Sequence, residues 1–392
     1  MASTPQAGAR AASTFFSYGF RPFFLGAALF GAFAIPLWLL LYIGDAQLPS
    51  HLPPPLWHGH EMLFGYAAAV LAGFLLTATP SWSGQPPIRG RQLAWLAALW
   101  LAGRIAIGAG GFAPVVAALI DLAFLPALAV AMVPALKASA QRNRVFLLLL
   151  AAFFLANLWF HLAILDLVPA SGSDALRLTL DLFALLIALV GGRVVPAFTA
   201  NALALETGAF DWVDRSALLA LVCLVLADLL GPAPLAGSIA LLAALLHLIR
   251  LARWRGLATL ESPILWVLHL GYAWLIAGLA WKGLVDLTGF APRVEGLHGL
   301  AIGAVGTMTL GVMSRAALGH TGRPLAVRPL VATSYLLVSA ATLVRLGATL
   351  LPGELYWPAL LSSGLLWSIA FFAFLIVYAP ILTGPRIDAA SS

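Results

Sequence analysis

The sequence predicts an all-α integral membrane protein that crosses the bilayer about twelve times. Of its 392 residues, 62% are hydrophobic and only 9% are charged, whereas roughly a quarter of the residues are charged in an ordinary soluble domain. The apolar segments run to about 20 residues, the length of a helix that spans the hydrocarbon core. Because lipid satisfies no backbone hydrogen bonds, such segments must form helices. A soluble globular domain is therefore excluded.

Twelve apolar segments follow one another along the chain, and we number them in that order. The predicted spans lie near 22–44, 60–79, 92–110, 113–136, 145–167, 174–192, 215–231, 234–252, 262–285, 297–316, 329–350 and 354–380. We predict a disordered tail at 1–14, a single membrane domain at 15–385 and a second tail at 386–392. An even number of spans puts both tails on the same side of the membrane.

The basic residues predict which side that is. Of the 21 Lys and Arg residues, 16 fall on the side of the termini and three on the opposite side. Lys and Arg near helix ends are retained in the cytoplasm, so we predict that the N and C termini are cytoplasmic. The formal charge of +6 follows from this topology, and we predict no nucleic-acid partner. The single cysteine, Cys223, excludes a disulfide framework, a Cys-ligated cluster and a covalently attached haem.

Two segments of the chain resemble each other and indicate an internal repeat. Five residues of the second span recur at identical offsets in the tenth, as His60/His298, Gly65/Gly303, Gly73/Gly311, Gly84/Gly322 and Pro86/Pro324. Glycine is common in this chain, and small residues at helix contacts are the structural alternative. If the repeat is real, the two helices run in the same direction.

Four histidines are predicted to share the outer third of the membrane: His58, His60, His161 and His298. Intramembrane histidines need a partner or a role, and side chains from several helices at one depth are the usual way in which a bundle holds a cofactor. The alternative is that they are interfacial histidines in contact with headgroups. Convergence beside the acid Glu61 favours the cofactor for His60 and His298, and leaves both alternatives open for His161.

Helical spacing separates two faces at the start of the second span. His58 and His60 are about 200° apart and cannot bind the same ion, whereas His58, Glu61 and Met62 share one face. Imidazole suits iron, copper or zinc, and thioether sulfur favours copper(I). His58 with Met62 is therefore a candidate copper site, although a methionine on an apolar helix usually serves packing.

The pair His60 and His298 suits axial ligation of one non-covalent haem. Arg104 and Arg345, near the outer ends of the third and eleventh spans, could bind the haem propionates. An alternative for Arg104 is that it simply neutralises Asp121, which lies at a matching depth in the fourth span.

Long stretches of the chain resemble the NnrS family. These are FFSYGFRPFFL at 15–25, WHGHEMLFGYAAAVLAGFLLTATPSWSG at 57–84, GGRVVPAFTAN at 191–201 and LHGLAIGAVGTMTLGVMSRAALGHTGRP at 297–324. The resemblance implies a multi-pass protein of the bacterial inner membrane that contains b-type haem and copper. It also implies a role in nitric oxide metabolism or in protection from nitrosative stress, with nitric oxide or a related small molecule as a partner beside the lipid bilayer.

Three functions remain open. The leading one is a haem- and copper-binding protein of the nitric oxide response, either an enzyme or a sensor or protective partner. A proton-coupled or small-solute transporter is favoured by the twelve spans and by Asp181 within the sixth. A nitric oxide reductase or oxidase is distantly similar, because the catalytic subunit of haem-copper oxidases also has twelve helices. It is disfavoured because the sixth and seventh spans contain no histidine.

Overall fold

The protein is described here by a computed structural model of residues 14–208 and 211–387. Across these ranges the chain forms helices and loops and no β-strand. The long helices are α1 Phe20–Ile43, α2 Pro54–Ser83, α3 Arg91–Gly108, α4 Pro114–Ala138, α5 Val145–Ile164, α6 Gly172–Leu203, α7 Asp211–Leu230, α8 Ala233–Ala252, α9 Pro263–Thr288, α10 Glu295–His320, α11 Pro329–Ala348 and α12 Gly353–Thr383.

Each predicted span falls on one of these helices. Ten of them are long and apolar enough to cross a membrane within the described ranges, whereas α3 and α7 are not. Together, α3 and α7 contain six charged residues: Arg91, Arg104, Asp211, Asp214, Arg215 and Asp228. Many large apolar side chains are exposed along the helices, as contact with lipid requires. The prediction of an all-helical, multi-pass membrane protein is confirmed.

Proline and glycine set the helix boundaries. Proline occupies the first turn of several helices, for example at Pro54 and Pro329, where its missing N–H costs no hydrogen bond. Helix α2 is followed by Gly84 and α10 by Gly322, with φ of 69° and 71°. Glycine adopts this left-handed conformation without the steric cost that a Cβ atom adds.

The chain divides into two compact units. Unit 1 contains residues 14–176, 313–325 and 371–387 of the described chain, and unit 2 contains residues 177–312 and 326–370 apart from 209 and 210. The single membrane domain predicted from the sequence stays a prediction. Most of both predicted tails, residues 1–13 and 388–392, lies outside the described residues.

The two helices of the suspected repeat share an unusual backbone. In α2 a π-helical segment, Glu61–Ala67, begins directly after His60, and in α10 a second one, Gly299–Gly306, begins directly after His298. These are also the two most buried of the ten apolar helices, at 83% and 67% of the spanning window. Short π-helical segments are rare and are frequent at functional sites. The local structure therefore repeats together with the sequence.

Candidate metal site

A buried polar cluster lies inside unit 1, where the surrounding helices are otherwise apolar. It is built by α2, α3, α4 and α5, and all of its members are at most 8% exposed. We call it the histidine cluster and define it as His60, Glu61, Arg104, Asp121, Asn157 and His161.

Asp121 of α4 is the centre of the histidine cluster. Its Oδ2 atom lies 2.9 Å from His161 Nε2 and 3.2 Å from His60 Nε2. The same oxygen accepts a hydrogen bond of 2.7 Å from the amide of Asn157. The other oxygen, Oδ1, accepts a hydrogen bond from Arg104. One carboxylate thus joins α4 to the polar residues of α2, α3 and α5.

His60 has an acceptor at each ring nitrogen. Nδ1 lies 3.0 Å from Glu61 Oε1, and Glu61 Oε1 in turn accepts a hydrogen bond of 2.7 Å from Arg104 Nη1. On the other side of the ring, Nε2 lies 3.2 Å from both Asp121 Oδ2 and Asn157 Oδ1. A donated Nδ1–H would fix the ring and leave Nε2 directed at Asp121.

Local backbone features bring α3 against the π-helical segment of α2. Trp100 Nε1 donates a hydrogen bond of 2.9 Å to the carbonyl of Gly65, within that segment. A Cβ atom at Gly65 would lie 2.9 Å from Arg104 Nη1, and one at Gly103 would lie 3.1 Å from Asp121 Oδ1. Gly65 therefore leaves room for the guanidinium, and Gly103 allows α3 to approach Asp121 of α4 closely.

The histidine cluster has an uncompensated charge when its imidazoles are neutral. Glu61 and Asp121 then carry two negative charges against the one positive charge of Arg104. A net charge buried at membrane depth is costly and has to be balanced. One more positive charge, either an imidazolium proton or a metal cation, would balance the cluster.

The donor atoms fit a metal ion. The three buried groups His60, Asp121 and His161 each offer one ligand atom, and these atoms lie within 4.8 Å of one another. Two ligands bound at about 2.0–2.1 Å in a tetrahedral site are about 3.3–3.4 Å apart, close to the distances around Asp121 Oδ2. Metal-bound histidines commonly donate their other N–H to a carboxylate, which is the position of Glu61 beside His60.

The space that Gly65 leaves for Arg104 gives a prediction about stability. We expect Gly65→Ala to displace the guanidinium, because the new methyl group would also lie 2.8 Å from Phe30 Cε1. Overpacking of this kind costs about 1–3 kcal/mol, measurable as a lower unfolding temperature of the purified protein. The matched control is Gly347→Ala in α11, where an added Cβ meets nothing within 4 Å. Equal stability of the two variants would contradict the prediction.

His58 and Met62 lie apart from the histidine cluster. His58 stacks on Trp38 of α1 with ring centroids 4.2 Å apart, whereas His60 stacks on Phe160 of α5 at 4.7 Å. Met62 is half-buried. The two histidines thus contact different helices, as their angular separation requires, and a copper site on the His58 face stays a prediction.

The remaining predicted site residues belong to unit 2. Arg345 of α11 forms a two-pronged ion pair with Glu295 at the start of α10, and Tyr356 donates a hydrogen bond of 3.2 Å to the same carboxylate. His298 follows three residues after Glu295 and is half-buried. Both arginines proposed for haem propionates are therefore bound to protein carboxylates, Arg104 in unit 1 and Arg345 in unit 2. Their role toward a haem stays a prediction.

Five of the six residues of the histidine cluster were identified as polar membrane residues from the sequence, and Asn157 was missed. The signal was present, because Asn157 and His161 are the only polar residues of the apolar helix Val145–Ile164 and are four positions apart. Residues at this spacing lie on one face of a helix. The interpretation of Arg104 as a counter-ion to Asp121 is what the structure shows.

Fold and site together define a polytopic α-helical membrane protein with a buried site of metal-ligand type. The chain belongs to the NnrS family, since residues 14–386 match the family described as NnrS protein. Membership indicates a membrane protein of the nitric oxide response. No curated protein is similar enough to this chain to be counted as a relative.

Proposed function

We propose that this protein binds a copper ion between His60, Asp121 and His161 and acts with it in the nitric oxide response. The observation that carries the proposal is the buried donor set with its excess negative charge. Divalent copper binds such nitrogen and oxygen ligands more tightly than the other first-row ions. A copper ion supplies one-electron chemistry and a coordination position for a small molecule such as nitric oxide.

The residues of the chain would have distinct tasks around the ion. His60 and His161 would provide imidazole nitrogens and Asp121 an oxygen. Glu61 would hold the tautomer of His60, and Arg104 would hold Glu61 and Asp121 in place. Burial of all these groups would keep bulk water away from the site.

A haem is the second cofactor that we propose, and its ligands are a separate question. The surroundings of His60 do not fit axial haem ligation. Both of its nitrogens face acceptors, the ring stacks on Phe160, and the side chain is fully buried. An iron bound to Nε2 would have to replace Asp121 and Asn157 beside the ring. Axial haem ligation by His60 and His298 therefore stays a prediction, and for His60 it competes with the proposed binding of copper.

Metal analysis of the purified protein tests the copper proposal. We expect His161→Ala to lose most of the copper, and Glu61→Gln to weaken copper binding about 10–100-fold, as is usual for residues that orient a ligand. The control is His320→Ala, because His320 stacks on Tyr18 outside the histidine cluster. Copper retained at the wild-type level in His161→Ala would exclude this site. Zinc or iron in place of copper would keep the site and change the metal.

The same samples separate the functional alternatives. A metal protein of the nitric oxide response should change its absorption or paramagnetic spectrum when nitric oxide is added, and the change should be lost in His161→Ala. Catalytic turnover of nitric oxide would indicate an enzyme, whereas binding without turnover would indicate a sensor or protective protein. No response in the loaded wild-type protein would contradict both.

We further propose twelve spans in the bacterial inner membrane with both termini in the cytoplasm. The support is the positive-inside distribution and the helices α3 and α7, which are 18 and 20 residues long. A phosphatase fused to the C terminus is expected to be inactive, and the same phosphatase fused after Gly289, between α9 and α10, is expected to be active. An active C-terminal fusion would overturn the helix count or the orientation.

A transporter is the second candidate function. It is favoured by charged residues buried within unit 2, among them Asp181 at 1% exposure, since transporters place ionisable groups on their pathways. An absorption spectrum distinguishes the two functions, because a transporter without cofactors would show no band from haem or copper.

A further inference from the structure

A second buried charged cluster lies inside unit 2 and is separate from the residues of the proposed copper site. Its core is a closed ring of four alternating charges, which we call the charged ring: Asp228 of α7, Lys282 and Asp286 of α9, and Arg293 of the turn before α10. Lys282 Nζ lies 2.6 Å from Asp228 and 2.8 Å from Asp286, and Arg293 lies 2.7 Å from each of the same carboxylates. The ring is therefore balanced in charge.

Asp181 of α6 adjoins the charged ring without being part of it. Its side chain is 1% exposed, and no hydrogen-bond donor of the described residues reaches either of its oxygens. The charged side chains that act on Asp181 are the carboxyl group of Asp228 and the cations Lys282 and Arg177. Two neighbouring buried carboxyl groups favour a proton shared between them.

We propose that Asp181 is a proton-binding site, which takes up a proton from water, shares it with Asp228 and releases it again. On uptake, an O–H bond forms on a carboxyl oxygen of Asp181 and the O–H bond of a hydronium ion breaks. Release reverses both changes, with water as the acceptor. No electron is transferred in either direction.

Charge balance shows why both states of Asp181 are accessible. With every group ionised, three carboxylates, Asp181, Asp228 and Asp286, face three cations, Arg177, Lys282 and Arg293, so the cluster is neutral but Asp181 lacks a donor. With a proton on Asp181, its oxygen is paired but the cluster carries one positive charge. Each state has one unfavourable feature, which is what a site that binds and releases a proton needs.

The same balance argues against a metal cation at Asp181. Two cationic side chains, Lys282 and Arg177, already act on the carboxyl group, and the cluster has no excess negative charge to attract an ion. The histidine cluster of unit 1, in contrast, has such an excess.

The charged ring also connects Asp181 with the surface. The Arg293 side chain is 37% exposed, whereas Asp228 is 3% exposed at its side chain. Although partial burial disfavours its charged form, the carboxylates of Asp286 and Asp228 raise the pKa of Arg293 above its usual value. Arg293 therefore stays charged and is the exposed member of the ring, separated from Asp181 by one carboxylate, that of Asp228.

Asp181 and the charged ring share no residue with the proposed copper site, because they belong to α6, α7, α9 and the following turn. A proton-binding site there would serve either a cofactor reaction that consumes protons or a proton-coupled transporter. The variant Asp181→Asn is expected to keep its copper, and this measurement on the same sample separates the two proposals.

Infrared spectroscopy of the full-length protein in lipid vesicles tests the proposal. We expect the wild-type protein to show the carbonyl band of a protonated carboxylic acid, which shifts in heavy water and disappears reversibly when the pH is raised. The isosteric variant Asp181→Asn should lose this band. The matched control is Asp211→Asn, because the side chain of Asp211 is 87% exposed and should not contribute a buried acid.

Three results would overturn the proposal. A band that is unchanged in Asp181→Asn would assign the proton to another residue. A band that does not respond to pH would show a permanently neutral acid that only fills space. Loss of the band on addition of sodium ions at constant pH would show a cation site in place of a proton site.

Discussion

We expect Asp121→Asn to remove more metal and more stability than any other single substitution in the histidine cluster. Asp121 contacts Arg104, His60, Asn157 and His161, so one change affects residues of three other helices. Removing one partner of a buried ion pair costs about 3–5 kcal/mol when the other charge is left buried without compensation. Here Arg104 keeps Glu61 as a counter-ion, so the loss of stability comes mainly from the four contacts of Asp121.

Thermal unfolding and metal analysis of the purified variant measure both effects. Asp211→Asn is the control, because its ion pair with Arg215 is exposed on both sides and exposed pairs contribute little. A double variant, Asp121→Asn with Arg104→Gln, should be less stable than Asp121→Asn and should also lack the metal, since it leaves Glu61 buried without its cation and does not restore the missing ligand. Full metal content in Asp121→Asn would contradict the assignment.

The second large effect concerns His60, for which two cofactors compete. We expect His60→Ala to lose the copper ion and to retain haem, because the ring of His60 lies among the polar groups of the histidine cluster. We expect His298→Ala to retain copper, since His298 belongs to unit 2. If His60 and His298 are instead axial ligands of one haem, both variants lose haem and its low-spin spectrum.

Haem and copper are therefore measured together in each variant. His247→Ala is the control for general damage to a buried histidine, because His247 is fully buried and pairs with Tyr272 at 2.7 Å. Loss of haem in His247→Ala as well would show that haem content reports on folding. In that case the spectrum of the remaining haem decides between the two assignments.

Most of the fold could be predicted from the sequence, because membrane helices follow directly from hydropathy and length. The count of twelve spans stays a prediction because of α3 and α7, where charged residues lower the hydropathy. Three of those charges belong to buried clusters or ion pairs: Arg104 and Asp228 are buried, and Asp214 pairs with Arg250. A one-dimensional window cannot distinguish a charge with a buried partner from a charge in a loop.

Buried charges also affected the count of Lys and Arg residues on the two sides of the membrane. The three placed on the outer side, Arg177, Lys282 and Arg293, all belong to the charged cluster of unit 2. Lys282 is 1% exposed within α9 and is therefore not a loop residue. Its partner Asp228 lies 54 positions earlier in the chain, which is why spacing along one helix could not reveal the charged ring.

For the candidate site, the sequence predicted the depth of each residue in the membrane but not the direction in which its side chain points. The predicted depths placed His60 and His161 at one level and Arg104 beside Asp121. In the structure, all three side chains contact Asp121. Which face each residue presents depends on the π-helical segment after His60, which changes the rotation per residue of α2. A prediction that assumes a regular helix cannot locate the partners of residues beyond that segment.

The structure supports the internal repeat of α2 and α10, because a π-helical segment recurs together with the matching residues. Each unit has an ion pair between a glutamate near the π-helical segment and an arginine of the next helix, Glu61 with Arg104 and Glu295 with Arg345. The second pair is offset by about one helical turn, since Glu61 follows its histidine by one residue and Glu295 precedes its histidine by three. Within the described ranges, the group of three side chains that could hold a metal ion is His60, Asp121 and His161 of unit 1.

X-ray absorption at the copper edge of the purified wild-type protein identifies the atoms bound to the copper ion. We predict a coordination shell that contains two imidazole nitrogens and one carboxylate oxygen, from His60, His161 and Asp121. One imidazole should disappear from the shell in His161→Ala. A copper shell without imidazole, or a shell that is identical in the wild-type protein and in His161→Ala, would contradict this prediction.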